Sequence, residues 1–384
     1  SFTKGDIRKV NVAMNSGMYK NAFTCGIPNS NEVGNVFAAA LGVVAGNADK
    51  GLESLADVTP EDNVKAQEMI DQGKVTVELS GITSRIFIEA TVETEEDKAI
   101  VTIRDSHTNI TKITVNDKVE LETEDEKKTE EDGGEEEAHS IHKYTLQQLY
   151  DYVTTVDIEE IRFINEAYKV NLELFHEGLE NPRTTFARQL LAINNGKEVS
   201  DDEQKTASLM CNAAIEARVI GLDKPAMSIT GSGAHGIIAT MPLYAAYKVN
   251  GYTEEQLLRA TALSYLVCMY IKEYSGRLSA FCGCAIAAGS GMACALVYLR
   301  GGTVEMMAHT LNNMASSITG MICDGGNQGC TMKGVAAVDA AYKSVEFAMN
   351  GIYISEVHGI NGNTPEETMR NMGLIASPGM VGTE

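Results

Sequence analysis

The chain has 384 residues, 44% of them hydrophobic, enough for one large domain or two ordinary ones. A formal net charge of −22 excludes nucleic acid as a partner, because phosphate binding needs clustered Lys and Arg. Tryptophan is absent and glycine abundant (35 residues), which points to helices packed closely through small side chains.

The first residues, "SFTKGDIRKV", contain no apolar leader run, so a cytoplasmic chain with reduced thiols is expected. Residues 1–121 read as an α/β domain. After a first strand come a helix near Glu32–Ala45 and another at "TPED", where Thr59 caps and Pro60 fits the first turn. Four alternating or β-branched runs follow: Lys74–Ser80, Arg85–Val92, Ala99–Arg104 and Asn109–Val115. Residues 122–143 form an acidic linker or exposed loop. Ten of the sixteen residues from Glu122 to Glu137 are acidic, and carboxylates without partners stay in water.

Residues 144–384 have the period of helices. The expected spans are Ile158–Leu174, Glu203–Val219, Glu254–Tyr270, Val304–Thr319 and Val335–Met349. A last helix opens at "NTPEE", with Thr364 as cap and Glu367 completing a capping box. The fold class is therefore α+β: a smaller N-terminal α/β domain followed by a large, mostly α-helical one. Leu278–Leu299 carries no charge and is long enough for a bilayer. Its many Ala, Gly, Ser and Cys residues make it weakly apolar, so a buried central helix and no membrane are expected.

Of the eight cysteines, Cys211, Cys268 and Cys294 sit on helical patterns as small core residues. Cys25 stands at a loop or strand end and reads as structural. Cys282 and Cys284 open the charge-free helix, and Cys323 and Cys330 flank the glycine turn of "GMICDGGNQGC". Two such junctions can gather three or four thiols at one point. Neither spacing is that of a zinc knuckle, and glycine makes room for a bulky centre. An iron–sulfur cluster and a set of buried free thiols are the two readings.

"SITGSGAHGIIATMP" is a second glycine-rich junction, with Ser232, Gly233 and His235 at a helix start that suits a carboxylate. Just before the first thiols, "KEYSGRLSAFC" offers Arg277 as a bidentate carboxylate clamp. "MYKNAF" and "DSHTNI" contribute Lys20, Asn21 and His107 from the α/β domain.

Taken together, "SGMYKNAF", "SHTNI", "SGAHGI", "GRLSAFCGC" and "GMICDGGNQGC" resemble the L-cysteine desulfidase family, related to the α-chain of iron–sulfur L-serine dehydratases. The resemblance runs from about Met14 to Met380 and implies a [4Fe–4S] cluster with one iron open to substrate. It implies Cys282, Cys323 and Cys330 as ligands, with Cys284 the alternative to Cys282. The implied reaction releases sulfide from L-cysteine and yields pyruvate and ammonia. It requires no pyridoxal phosphate, and no lysine is singled out as a Schiff-base partner. The α-proton base is open among Lys20, His107, His235 and a cysteine of a "GCTEP"-like motif. The family carries that motif ahead of the region matching Ser1, so a longer natural chain is expected. Substrate contacts are expected from Asn21, Ser232, Gly233, His235 and Arg277. The partner is a small amino acid, with homo-oligomer formation left open. L-Serine as substrate, and a non-catalytic thiol or cluster protein, are the rival readings.

Overall fold

The computed structural model describes residues 2–83, 85–123, 140–276 and 278–383. The N-terminal part is a six-stranded sheet: β1 (Ile7–Asn15), β2 (Val75–Gly81), β3 (Phe87–Thr94), β4 (Lys98–Arg104), β5 (Ile110–Val115) and β6 (Lys118–Glu122). Its order is β2-β1-β3-β4-β5-β6, with β1 and β2 parallel and the remaining pairs antiparallel. A parallel pair needs a crossover. Helices α1 (Ser16–Ala22), α2 (Asn35–Ala45) and α3 (Pro60–Asp71) supply it. Alternate residues Val10, Val12 and Met14 of β1 bury with Val75, Phe37, Leu41 and Ala66 in one core. Thr59 and Asp62 form a full capping box at α3. The edge strand β6 escapes the sequence pattern because it is short, charged and exposed along its whole length.

The rest is helical: α4 (Leu146–Thr155), α5 (Ile158–Ile161), α6 (Asn165–Glu180), α7 (Phe186–Ile193), α8 (Glu203–Val219), α9 (Gly233–Asn250), α10 (Glu254–Ser275), α11 (Gly289–Leu299), α12 (Val304–Ile318), α13 (Gly329–Met349) and α14 (Pro365–Leu374). The fold is thus α+β, with the smaller α/β part first. The expected helix from Ile158 to Leu174 is interrupted by a tight turn at Arg162–Ile164, across which Ile161 and Ile164 both stay buried. At α14, Thr364 caps Glu367 N–H, but Glu367 reaches back to Asn363 N–H and not to Thr364, so the capping box is only half made.

Leu278–Leu299 is buried, as the small-residue composition implies, but only its second half is regular α-helix. Gly291 brings α11 against α10, where a Cβ would stand 2.2 Å from Ser264 O. No described helix is long and apolar enough to cross a membrane. Residues 124–139, most of the acidic segment, lie outside the described residues.

One buried carboxylate organises the helical part near the cavity described next. Glu216 of α8, fully buried, accepts hydrogen bonds from the N–H groups of Thr185, Phe186 and Ala187 and so caps α7. Gln328, two residues before Cys330, donates to the same carboxylate at 3.5 Å. Glu216→Ala strands these donors in an apolar interior. It is expected to lower unfolding free energy by about 2–4 kcal/mol in urea titration.

Candidate active site

The sheet part and the helical part meet at a few backbone bonds. Gly26 N–H donates to Val219 O at 2.9 Å, and Gly326 N–H to Asn21 O at 3.2 Å. Between these contacts lies a cavity of about 270 Å³. Asn21 and Cys25, at the end of α1 and just beyond it, line one side, joined by His107 from the turn between β4 and β5. Ser232 and His235 from the head of α9 line another, and Cys284, Cys323 and Cys330 a third.

The two thiol-bearing loops are tied together by backbone. Phe281 and Ile322 form an antiparallel bridge. Cys282 N–H donates to Met321 O at 2.7 Å, and Cys323 N–H to Ala280 O at 2.8 Å. Cys282 and Cys323 therefore flank one rigid link. Cys330 arrives on the first turn of α13, its thiol donating to Gly325 O at 3.4 Å. Gly325 makes the turn between them possible: its φ is +104°, and a Cβ would stand 2.3 Å from Lys20 O.

The thiols differ in character. The Cys282 and Cys284 sulfurs are 3.3 Å apart. The contact with Cys284, in which either sulfur can donate, and the Ala285 N–H lower Cys282 from the ordinary thiol value against the effect of burial. Cys284 itself is raised well above the ordinary range by that same bond and by burial. Burial pushes Cys330 up to about 11. Cys323 donates to Asn21 Oδ1 at 3.7 Å. Cys211, Cys268 and Cys294 are fully buried, and burial raises each of them.

The opposite wall is cationic and rich in donors. Helix α9 starts at Gly233 after a turn with Thr230 and Gly231 at positive φ. Its first N–H groups have no intrahelical partner, and Ser232 makes no capping bond of its own. His235 is 6% exposed, and neither ring nitrogen has a hydrogen-bond partner among the described residues. Burial holds its pKa well below the ordinary value, with Lys272 and Arg218 adding to the effect, so the ring is neutral. Arg218 also lines the cavity.

Lys272 is 3% exposed and lines the same wall, its ammonium 3.2 Å from Ser279 Oγ. Burial lowers it to about 8, while Cys268, Cys323, Cys284 and Cys282 pull the other way. Lys272 opens the "KEYSGRLSAFC" motif, where the motif gives it no role, and Arg218 lies outside the motifs. A signal for Lys272 was present: Thr261, Ser264, Cys268, Lys272 and Ser275 share one helical face, and all five are buried.

The other residues named from the sequence fall as follows. Lys20 is behind the wall, its Nζ donating to Ser279 O at 3.3 Å. Gly233 packs on Arg218, where a Cβ would stand 2.7 Å from Nε. Arg277 lies outside the described residues.

A [4Fe–4S] cluster fits this donor set. Thiols are its ligands, the glycine turn leaves space beside Cys323 and Cys330, and Arg218 supplies a cation; Cys284, Cys323 and Cys330 line the cavity, and Cys282 is not among the lining residues. Among the described residues, no three His, Cys, Asp or Glu side chains could hold one metal ion together. In a cubane, each thiolate binds a different iron, so its ligands stand wider apart than those of a single ion.

The fold and cavity define a two-part protein whose thiols share one cavity with Ser232, His235, Arg218 and Lys272. The family described as serine dehydratase alpha chain matches residues 49–384. A UPF0597 protein of Clostridium botulinum strain Hall is 40% identical over 382 residues, covering 99% of this chain and 88% of that one. A UPF0597 protein of Caldanaerobacter subterraneus is 37% identical over 373 residues, covering 97% and 86%. A third, from Bacteroides fragilis, is 34% identical over 378 residues, covering 98% and 87%. The chain belongs to the serine dehydratase alpha chain family.

Proposed function

We propose that the protein is a lyase of the L-cysteine desulfidase type, holding a [4Fe–4S] cluster on Cys282, Cys323 and Cys330. The observation that carries this reading is the shared cavity, where thiols of two linked loops face unpaired donors at the head of α9. When bound, the cluster supplies a Lewis-acidic iron that makes the β-thiolate of cysteine a better leaving group.

The chain's own residues do the rest. The N–H groups at the start of α9 and the neutral His235 donate to the substrate carboxylate, where the helix dipole favours negative charge. Ser232 adds a hydroxyl to this set. Lys272, unprotonated, takes the α-proton onto Nζ as sulfide leaves, giving aminoacrylate. Tautomerisation to the imine and addition of water then give pyruvate and ammonia. Phe281 and Leu278, both buried, give the cavity an apolar flank.

The family match favours a second reading on the same residues, with L-serine as substrate and water leaving. Sulfide release from L-cysteine, compared with pyruvate formed from L-serine by one anaerobic preparation, separates the two. The desulfidase reading expects the higher kcat/KM on cysteine and fails if serine is preferred. Replacing Ser232 and His235 together by alanine is expected to raise KM roughly tenfold or more, since hydrogen bonds to a charged group contribute about 1.5–3 kcal/mol each. Steady-state kinetics on the cluster-loaded variant would show it.

A further inference from the structure

Ser279 is a buried hydroxyl of the cavity wall that the proposed chemistry does not use. Its place follows from the path of the chain. Helix α10 ends at Ser275, and Gly276, at φ +75°, turns the backbone so that Ser279 returns onto Lys272, one turn inside the helix end. The same segment rests on α1. A Cβ at Gly17 would stand 2.7 Å from Leu278 Cβ, and Lys20 Nζ donates to Ser279 O at 3.3 Å. The sheet part therefore fixes the backbone of Ser279, while its side chain meets the helical part.

Chemistry sets the direction of its hydrogen bonds. Serine has one hydroxyl hydrogen. Phe281 O, a carbonyl, can only accept, and Ser279 Oγ donates to it at 3.3 Å. The hydroxyl oxygen is left as an acceptor, and Lys272 Nζ donates to it at 3.2 Å. A Cβ at Gly283 would stand 3.0 Å from Nζ, so the backbone of Gly283 also crowds the amino group. A lysine that removes a proton must keep an N–H on its anchor and aim its lone pair at the substrate. We propose that Ser279 is a positioning residue: its hydroxyl oxygen holds one N–H of Lys272 and so turns the lone pair of the base toward the cavity. This rests on the reading of Lys272 as the α-proton base.

The test is a double-mutant cycle on the anaerobically loaded chain: wild type, Ser279→Ala, Lys272→Met and the two together, with Ser279→Thr as the variant that keeps a hydroxyl. Iron per chain, and kcat and KM for L-cysteine, are measured for each. Ser279→Ala is expected to keep wild-type iron and to lower kcat about 10–100-fold, the effect of misaligning a reacting group, with KM changed by less than about twofold. Threonine recovers most of the rate. In the Lys272→Met background, Ser279→Ala is expected to cost nothing further, because the group it positions is gone. An equal loss in both backgrounds would make Ser279 a structural residue and overturn the proposal. Loss of iron from Ser279→Ala, or an unchanged kcat, would do the same. Unchanged kcat in Lys272→Met would instead remove the base reading, and a wild-type chain without lyase activity the proposed function itself.

Discussion

Replacing Lys272 by methionine is expected to lower kcat about 10²–10⁴-fold, the usual contribution of a positioned general base. Methionine keeps the length and apolar stem, so the buried helix face is preserved. The unreplaced enzyme gives a pH signature as well. Burial brings Lys272 from the ordinary 10.5 to about 8. A lysine base works unprotonated, so kcat/KM should rise as pH increases through about 8 and level off above it. In the methionine variant that rising limb should vanish. A variant that keeps both the rate and the limb would move the base elsewhere, with His107 the cavity-lining alternative.

Cys323→Ala is expected to abolish cluster binding, with iron per chain falling close to zero and lyase activity with it. Cys323 is held beside Cys282 by the backbone link, so no other thiol of that loop can take its place. Two further thiols line the same cavity, Cys284 on the other thiol loop and Cys25 against Gly326, so retained iron would point to one of them. Iron analysis on anaerobically purified variant protein measures this directly. Full iron with full activity would exclude Cys323 as a ligand.

Much of the architecture was legible because it is local. Helix α8 runs from Glu203 to Val219, the span its periodicity predicts, and Thr59, Asp62 and Pro60 mark the start of α3. The glycines of "GMICDGGNQGC" and "SITGSGAHG" announced turns, and those turns carry both sides of the cavity. What was hidden depends on tertiary context. Edge strand β6 has no buried face to generate alternation. The π-turn at Cys284–Ala288 is a backbone detail that small apolar residues do not encode. Lys272 reads in sequence as an ordinary charge beside Glu273, and only packing on all sides of α10 shows it to be interior. Arg218, at the end of α8, becomes a cavity residue through the approach of Gly233.

The most direct test is sulfide released from L-cysteine, measured against the iron content of the same anaerobic samples as the cluster is progressively loaded. Sulfide release should rise in proportion to iron and reach its maximum near four irons per chain. Sulfide release that is independent of iron, or a fully loaded chain that releases none, would contradict a cluster-dependent lyase.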